Sequence, residues 1–166
     1  MTSETREYVA AGKKKVNHIV TRWTGGKTFE AGRPAGPFIR VDTTGQTGPG
    51  PVDVLLCALA TCSAIDVVEI LEKRRTPVAS LEIDVTGDRV AAIPARLERV
   101  VMRYTITGDG IEAVHALRAI DLAVNKYCSV RDSLDPKLPI VLELVLNGLD
   151  VGIGDGRSET GDGREG

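Results

Sequence analysis

The feature that most constrains this chain is a long apolar segment, residues 52–74, with the sequence VDVLLCALATCSAIDVVEILEKR. The loop before it, DTTGQTGPGP, is rich in glycine and proline, and its last residue, Pro51, suits the first turn of a helix. The first two thirds of the segment are apolar almost all round, and only the last turns are charged. Because a helix that is apolar on every side is normally a buried one, the sequence predicts a long, buried central helix.

Strand patterns lie on both sides of this helix. Residues 80–86 and 97–107 alternate apolar and polar side chains, which is typical of a sheet with one buried face. A second helix is predicted at residues 113–127, where apolar side chains recur at three- and four-residue steps. Further strands are predicted at residues 16–23, 27–30, 38–41 and 139–146. The order of elements predicts an α+β fold in which an antiparallel sheet packs against the central helix.

The two ends of the chain differ in composition from the middle. Residues 1–14 are polar and predict a flexible N-terminal lead, while residues 15–148 have the length and patterning of one domain. Residues 149–166 form a Gly-rich acidic tail, and seven glycines fall within residues 148–166. Such a composition cannot bury a core, so the tail is predicted to be disordered.

Charge and cysteine content narrow the class of function. A net charge of −2 over 166 residues argues against a nucleic-acid partner. The polar N-terminus lacks the apolar core of a signal peptide, and no segment approaches the roughly 20 unbroken apolar residues of a membrane span. Three cysteines, an odd number, suit a reducing compartment. We therefore expect a cytoplasmic protein that does not bind membranes.

The central helix also predicts an oligomer. A helix that is apolar on all sides needs cover on all sides, whereas one sheet covers only one. Its small residues would let two such helices approach each other closely: Ala58, Ala60, Ser63 and Ala64. The sequence therefore predicts a homodimer.

Two cysteines, Cys62 and Cys128, are the candidate reactive residues. Cys62 is followed by Ser63 and Asp66 in an otherwise apolar helix, which indicates that one face there meets a cleft. Cys128 follows the second helix and precedes SVRDSL, where it could cap a short helical turn, a position that favours a thiolate. Cys57 has apolar neighbours and is predicted to be a core residue. From the residues alone, Cys62 and Cys128 are either a working dithiol or two small core residues.

Two segments of the chain resemble a known family. GPGPVDVLLCALATCSAIDVVEILEKRR resembles the first cysteine signature of the OsmC/Ohr family, the osmotically inducible and organic hydroperoxide resistance proteins. KYCSV is similar to the family's second cysteine segment, and ITGDGIEAVHALRAIDLAVNKYCSV resembles the OsmC-like branch. The resemblance covers about residues 15–148. It implies the OsmC-like fold and an intertwined homodimer with the two long helices packed at its centre.

The resemblance also implies a cysteine-based hydroperoxide reductase, with organic hydroperoxides as the main substrates and hydrogen peroxide as a lesser one. On this model, Cys62 is oxidised to a sulfenic acid and condenses with the resolving Cys128 to a disulfide. An external dithiol, often a lipoylated protein, restores both thiols by exchange. No metal, flavin or haem cofactor is implied.

The family activates its first cysteine with an arginine from the N-terminal region, held by an acid near the start of the central helix. Asp53, nine residues before Cys62, matches the place of that acid, although family members more often have Glu there. An acid at this position could instead interact only with the helix dipole. Arg40 is the candidate arginine, with Arg33 and Arg22 as further possibilities.

Two other hypotheses remain open at this point. The chain could be a dimeric module of the same fold that binds an apolar ligand beside Cys62 without efficient peroxidase activity. It could also be an unrelated α+β protein whose cysteines only fill the core. The position of Cys62 relative to Cys128 and to a cation separates these hypotheses.

Overall fold

The computed structural model describes residues 15–155, which fall into two compact units that meet in sequence between Pro51 and Val52. The N-terminal unit is a three-stranded antiparallel sheet of order β1-β2-β3. Its strands are β1 at Val20–Gly25, β2 at Thr28–Gly32 and β3 at Phe38–Asp42. All three predicted strands are confirmed, and β1 begins later than predicted. Gly25 and Gly26 turn the chain between β1 and β2 with φ angles of 119° and 54°, which residues with side chains rarely adopt.

A closed loop follows β3 and is organised by the buried carboxylate of Asp42. Oδ1 accepts hydrogen bonds from the backbone N–H and the hydroxyl of Thr44, at 2.8 and 2.7 Å. Oδ2 accepts the same pair from Thr47, at 3.1 and 2.8 Å, and the Asp42 N–H donates to the carbonyl of Pro49 at 3.0 Å. Because these donors, Thr44 first, stabilise the charged form, the pKa of Asp42 lies far below its ordinary value.

The C-terminal unit contains a four-stranded sheet of order β4-β5-β6-β7. Its strands are β4 at Ser80–Arg89, β5 at Leu97–Thr107, β6 at Ile140–Leu146 and β7 at Leu149–Asp155. The helices are α1 at Pro51–Lys73, α2 at Ala113–Leu122 and α3 at Ser129–Asp132, with a π-helical turn, Ala123–Tyr127, directly after α2. The predicted central helix, second helix and strands of this unit are confirmed.

The predicted α+β fold is confirmed, and β4 with β5 and β6 with β7 pair antiparallel as predicted, but the sheet as a whole is mixed. β5 and β6 run parallel, from Val100 opposite Ile140 to Ile106 opposite Leu146. Between them the chain passes through α2, the π-helical turn and α3. Such a crossover carries the chain back to the end of the sheet at which β5 began, and β6 therefore runs in the same direction as β5.

One face of this sheet forms the core. The buried side chains of β5 and β6 alternate along each strand, which the sequence predicted for β5. They belong to one hydrophobic cluster with α1 and α2: Val100, Met102, Tyr104, Ile106, Ile140, Leu142, Leu144 and Leu146. The other face carries Arg103, whose guanidinium pairs with Glu143 and Asp150 at 3.0 Å each. The sheet therefore presents an apolar face to the helices and a charged face on its other side.

α1 buries a single stripe rather than its whole surface. The fully buried residues recur at four-residue steps: Leu59, Ser63, Val67 and Leu71. Ile65 is 62% exposed and Leu55 37% exposed. The prediction of burial on all sides is wrong for the single chain, because one sheet face covers only one side of a helix.

By length and composition, α1 is apolar enough to cross a membrane, with a mean hydropathy of 2.2 over its most apolar window. Asp66 and Glu69 interrupt its apolar run, which therefore does not reach roughly 20 unbroken apolar residues. Three side chains of its buried stripe belong to the same hydrophobic cluster as the sheet. A helix at the centre of a globular core has the same composition, and we interpret α1 as such a helix.

The end of the domain also differs from the prediction. Residues 149–155 form β7, which pairs antiparallel with β6, so the prediction of disorder from residue 149 is wrong for this segment. Asn147 and Gly148 have φ angles of 50° and 80°, which is the geometry of a tight hairpin turn. The hairpin places β7 against the open edge of β6, where backbone pairing compensates for a glycine-rich composition. The rest of the predicted tail, 156–166, and the predicted lead, 1–14, lie outside the described residues.

Candidate functional site

Cys62 lies in the middle of α1, at the margin of the buried stripe. Its neighbour Ser63 is fully buried, whereas Thr61 on its other side is exposed. The Cys62 side chain is a free thiol, partly buried and packed against the core cluster. At this position in the helix, the Cys62 side chain packs against the core, and part of the residue stays accessible.

Cys128 lies at the junction of the π-helical turn and α3. It is the N-cap of α3, and its Sγ accepts a hydrogen bond from the backbone N–H of Arg131 at 3.3 Å, which confirms the predicted capping position. Only 3% of the residue is exposed. A π-helical turn is wider than an α-helical one, and such turns are frequent at functional sites. Here the turn directs the chain from α2 into the cap.

The structure brings the two thiols together, although 66 positions separate them in the sequence. The Cys62 and Cys128 side chains interact, with Cys128 in the hydrophobic core cluster and Cys62 packed against it, and both sulfurs are free. Burial, the largest cause, raises the pKa of Cys128 to about 11, while the Arg131 N–H opposes the rise. The interaction with Cys62 raises that pKa further. Cys128 therefore holds its proton at neutral pH.

A buried tyrosine that the sequence analysis missed lies beside this pair. The hydroxyl groups of Tyr104, on β5, and Ser63 lie 2.8 Å apart, and the Ser63 hydroxyl donates to the carbonyl of Ala60 at 2.9 Å. Since Ser63 has one hydroxyl proton, Tyr104 is the donor to Ser63. Burial is the main cause that raises the pKa of Tyr104, and a charge on Cys128 would raise it further. One polar side chain on the apolar face of β5 was the signal that could have revealed it.

Arg131 is the second residue that the sequence analysis missed. Its backbone N–H bonds to Cys128, and its guanidinium donates to the carbonyls of Asp135, Pro136 and Leu138 at 3.2, 3.4 and 3.3 Å. The side chain therefore links α3 to the segment that leads into β6. This link holds in place the backbone N–H that donates to Cys128. Its place three residues after Cys128, the usual donor position for an N-cap, was the available signal.

A solvent-open cavity of about 190 Å³ lies against Cys128. Its lining combines apolar side chains, among them Val124 and Leu134, with the charged residues Lys126, Arg131 and Asp132. The two cations outnumber the one carboxylate, so the walls carry a net positive charge. An anionic or partly ionised group would be attracted to it.

The other predicted site residues lie elsewhere. Asp53 is exposed in the first turn of α1 and lines a groove of about 210 Å³ with Cys57 and Ile83. Cys57 itself is exposed, so the prediction that it is a core residue is wrong for the single chain. Arg40 is exposed on β3 in the N-terminal unit, opposite Glu30 of β2. The activating roles of Asp53 and Arg40 stay predictions.

Across residues 15–155, no three His, Cys, Asp or Glu side chains are grouped so that they could hold a metal ion. The candidate site therefore consists of the two thiols, the tyrosine and serine hydroxyls beside them and the cavity at Cys128. The absence of a cofactor stays a prediction.

The fold and the thiol pair define a class of α+β proteins with one cysteine on a long core helix and another at the start of a short helix. Residues 43–143 match the family model described as OsmC-like protein. The chain belongs to the OsmC-like family, which confirms the resemblance found in the sequence.

Individual proteins agree with this assignment. Protein YhfA of Escherichia coli K12 is 34% identical over 120 residues, which cover 72% of this chain and 90% of YhfA. The crystal structure of a protein from Aquifex aeolicus VF5 superposes with a TM-score of 0.72 and 26% identity, covering 80% of this chain and 97% of that one. An organic hydroperoxide resistance protein OsmC from Legionella pneumophila superposes with a TM-score of 0.60 and 12% identity, covering 79% and 98%, a likeness of fold alone.

Proposed function

We propose that this protein reduces organic hydroperoxides with Cys62 as the attacking thiolate and Cys128 as the resolving thiol. The observation that carries the proposal is that a partly buried Cys62 packs against the core cluster to which the nearly inaccessible Cys128 belongs and interacts with it. Two neighbouring thiols need only a local movement to form a disulfide. The Legionella protein of the same fold is described as an organic hydroperoxide resistance protein, which supports the same chemistry.

In the first step, the Cys62 thiolate attacks one peroxide oxygen of ROOH. The O–O bond breaks, an S–O bond forms, and the departing alkoxide takes a proton and leaves as ROH. In the second step, the Cys128 sulfur attacks the sulfenic acid, the S–S bond forms, and the hydroxyl group leaves as water with the Cys128 proton. Two electrons pass from the two thiols to the peroxide. Cys62 is the partner that a substrate can approach.

The raised pKa of Cys128 suits this order of events. While Cys62 is a thiolate, its charge helps to keep Cys128 protonated. Oxidation of Cys62 to a neutral sulfenic acid removes that charge, so the pKa of Cys128 falls at the moment when its sulfur must attack. Burial, the larger cause, remains and keeps Cys128 unreactive toward other oxidants.

Asp53 and Arg40 are the proposed pair that orients and activates Cys62, and no resident cofactor is needed. The proposal also includes a reductant that acts from outside this chain. An external dithiol, of the lipoyl type or carried on a lipoylated protein, would return the disulfide to two thiols. Such a cycle requires a reducing compartment, in agreement with the cytoplasmic location that we propose.

A homodimer is part of the proposal. The outer side of α1 leaves Ile65 62% exposed and Leu55 37% exposed in the single chain, and Cys57 is exposed beside them. A second copy that packs its own α1 against this side would remove these side chains from water. We expect light scattering to give twice the chain mass, and Ile65→Glu to shift the mass toward the monomer. A parent protein that is monomeric at micromolar concentration would exclude this part.

The central experiment is a titration of the reduced protein with cumene hydroperoxide while free thiols are counted. We expect one equivalent of hydroperoxide to consume two thiols and peptide mapping to find a Cys62–Cys128 disulfide. The Cys57→Ser variant, which changes a thiol outside the pair, is the matched control and should give the same stoichiometry. Thiols that stay unreacted in excess hydroperoxide would contradict the proposal and favour the binding-module alternative.

A further inference from the structure

The cavity at Cys128 supplies the starting observation. It opens to solvent, and Cys128 is among the residues that line it, whereas Cys62 is not among its lining residues in the described part of the chain. Cys62 instead interacts with the Cys128 side chain. Cys128 therefore both interacts with Cys62 and forms part of the cavity wall.

We infer that the reducing dithiol enters this cavity and attacks the Cys128 sulfur of the disulfide, so that Cys62 is the group that leaves. The inference rests on the proposed function, because it assigns the reductive half of the same cycle. The ligand of the cavity would be a small thiol or the tip of a dithiol arm. The two cysteine sulfurs would then have different roles in the reduction of the disulfide as well as in its formation.

Geometry favours this direction of attack. Thiol–disulfide exchange requires the attacking sulfur, the central sulfur and the leaving sulfur to lie near one line. Cys128 lines the cavity and Cys62 does not, so a thiolate in the cavity would meet Cys128 first. The volume of about 190 Å³ admits a small thiol but not a folded protein, so a protein reductant would have to offer a narrow arm.

Charge and leaving-group chemistry favour the same direction. Lys126 and Arg131 line the cavity, and cations near an incoming thiol increase its thiolate fraction. Exchange is faster when the departing thiol has the lower pKa. Because the pKa of Cys128 is raised to about 11, Cys128 would depart slowly in the first, intermolecular exchange, which disfavours attack on Cys62. In the second exchange Cys128 leaves after an intramolecular attack, which proximity accelerates.

The exchange balances without a further reactant. The first thiolate of the dithiol forms an S–S bond with Cys128, and the bond between Cys128 and Cys62 breaks, releasing the Cys62 thiolate. The second thiol of the reductant then attacks its own mixed-disulfide sulfur and releases Cys128, which takes up a proton. The protein gains two electrons, and the reductant leaves as a disulfide.

The test begins with the full-length protein oxidised by diamide, so that no hydroperoxide is involved. The disulfide is exposed briefly to 2-mercaptoethanol, quenched in acid and treated with N-ethylmaleimide, and peptide mapping locates both labels. We expect the mercaptoethanol adduct on Cys128 and the maleimide on Cys62 at the earliest times. An adduct predominantly on Cys62, or a disulfide that diamide does not form, would overturn the inference.

A second measurement examines the charge of the cavity. Reduction of the diamide-oxidised protein by thioglycolate, an anionic monothiol, should slow about threefold to fivefold in Lys126→Glu, and reduction by cationic cysteamine should not slow. Lys73→Glu makes the same charge change at the exposed end of α1 and should alter neither rate. Equal effects on both monothiols, or an equal effect of Lys73→Glu, would contradict the inference. Failure of the proposed function would appear separately, as hydroperoxide that consumes no thiols.

Discussion

The two cysteines of this protein occupy very different regions, and the difference supports the separate roles that we propose for them. Cys62 lies on a regular 23-residue helix at the border between core and exposed surface. Cys128 lies where a π-helical turn ends and a four-residue helix begins, and it is almost fully buried. The two regions interact through these side chains. The difference in access supports the proposal that Cys62 meets the substrate and Cys128 resolves the oxidised product.

The largest expected effect tests this division of tasks. Cys62→Ser should abolish consumption of cumene hydroperoxide, because the accessible nucleophile is gone. Cys128→Ser should allow one rapid reaction and then accumulate sulfinic and sulfonic acid at Cys62, since no partner traps the sulfenic acid. Coupled turnover assays and intact-mass spectra measure both outcomes, with Cys57→Ser as the control. Equal activity of all three variants would remove the distinction between the two cysteines.

The polar contact beside the pair provides a second test, on stability. Ser63→Ala leaves the buried Tyr104 hydroxyl without its acceptor and should lower the free energy of unfolding by about 2 kcal/mol. Tyr104→Phe should lower it by only about 1 kcal/mol, because Ser63 keeps its bond to Ala60. Urea unfolding of the reduced proteins measures both values. A larger loss in Tyr104→Phe than in Ser63→Ala would show that the donor direction is reversed.

The pH dependence of Cys128 tests the coupling between the two regions. The pKa of Cys128 is raised from its ordinary value of 9.0 to about 11, first by burial and in part by Cys62. Cys62→Ala removes the second part, so the midpoint for alkylation of Cys128 should move to lower pH and remain above 9.0. The measurement is the rate of iodoacetamide labelling of Cys128, followed by peptide mass spectrometry across the alkaline range. An unchanged midpoint would mean that the thiols titrate independently.

The smallest expected effect concerns Asp42, a buried acid. Hydrogen-bond donors stabilise the charged form of Asp42, whereas burial destabilises the charged form of Cys128. Four donors hold its pKa below the ordinary value, so its stabilising contribution is present above about pH 4 and is lost as the pH falls toward the folded-state pKa. Asp42→Asn should lower the thermal midpoint at neutral pH, and the midpoint of the variant should fall less as the pH is lowered. Thermal unfolding of parent and variant between pH 2 and pH 7 measures this, and parallel curves would exclude it.

Local sequence patterns were sufficient for most elements of the fold. The step-two alternation of β5 and the step-three and step-four recurrence in α2 depend on residues close in sequence, and each predicted element formed. The motifs around Cys62 and Cys128 identified the family that residues 43–143 match. The capping position of Cys128 was also readable, because a cap depends on the next three residues.

Long-range contacts accounted for the rest. The parallel pairing of β5 with β6 follows from a crossover through α2, and β7 forms because β6 offers an open edge, which no pattern within residues 149–155 reveals. The exposure of Ile65 depends on how many sides of α1 the sheet covers.

By itself, the sequence identified the candidates for the chemistry: two cysteines in their motifs, each on the type of element it predicted. Only the tertiary structure decided that their side chains interact, that Tyr104 and Arg131 lie beside them and that a charged cavity opens on Cys128 and not on Cys62. The physical reason is that helix and strand periodicity act over a few residues. Sulfur contact, burial and the pKa of a thiol depend instead on segments separated by tens of residues.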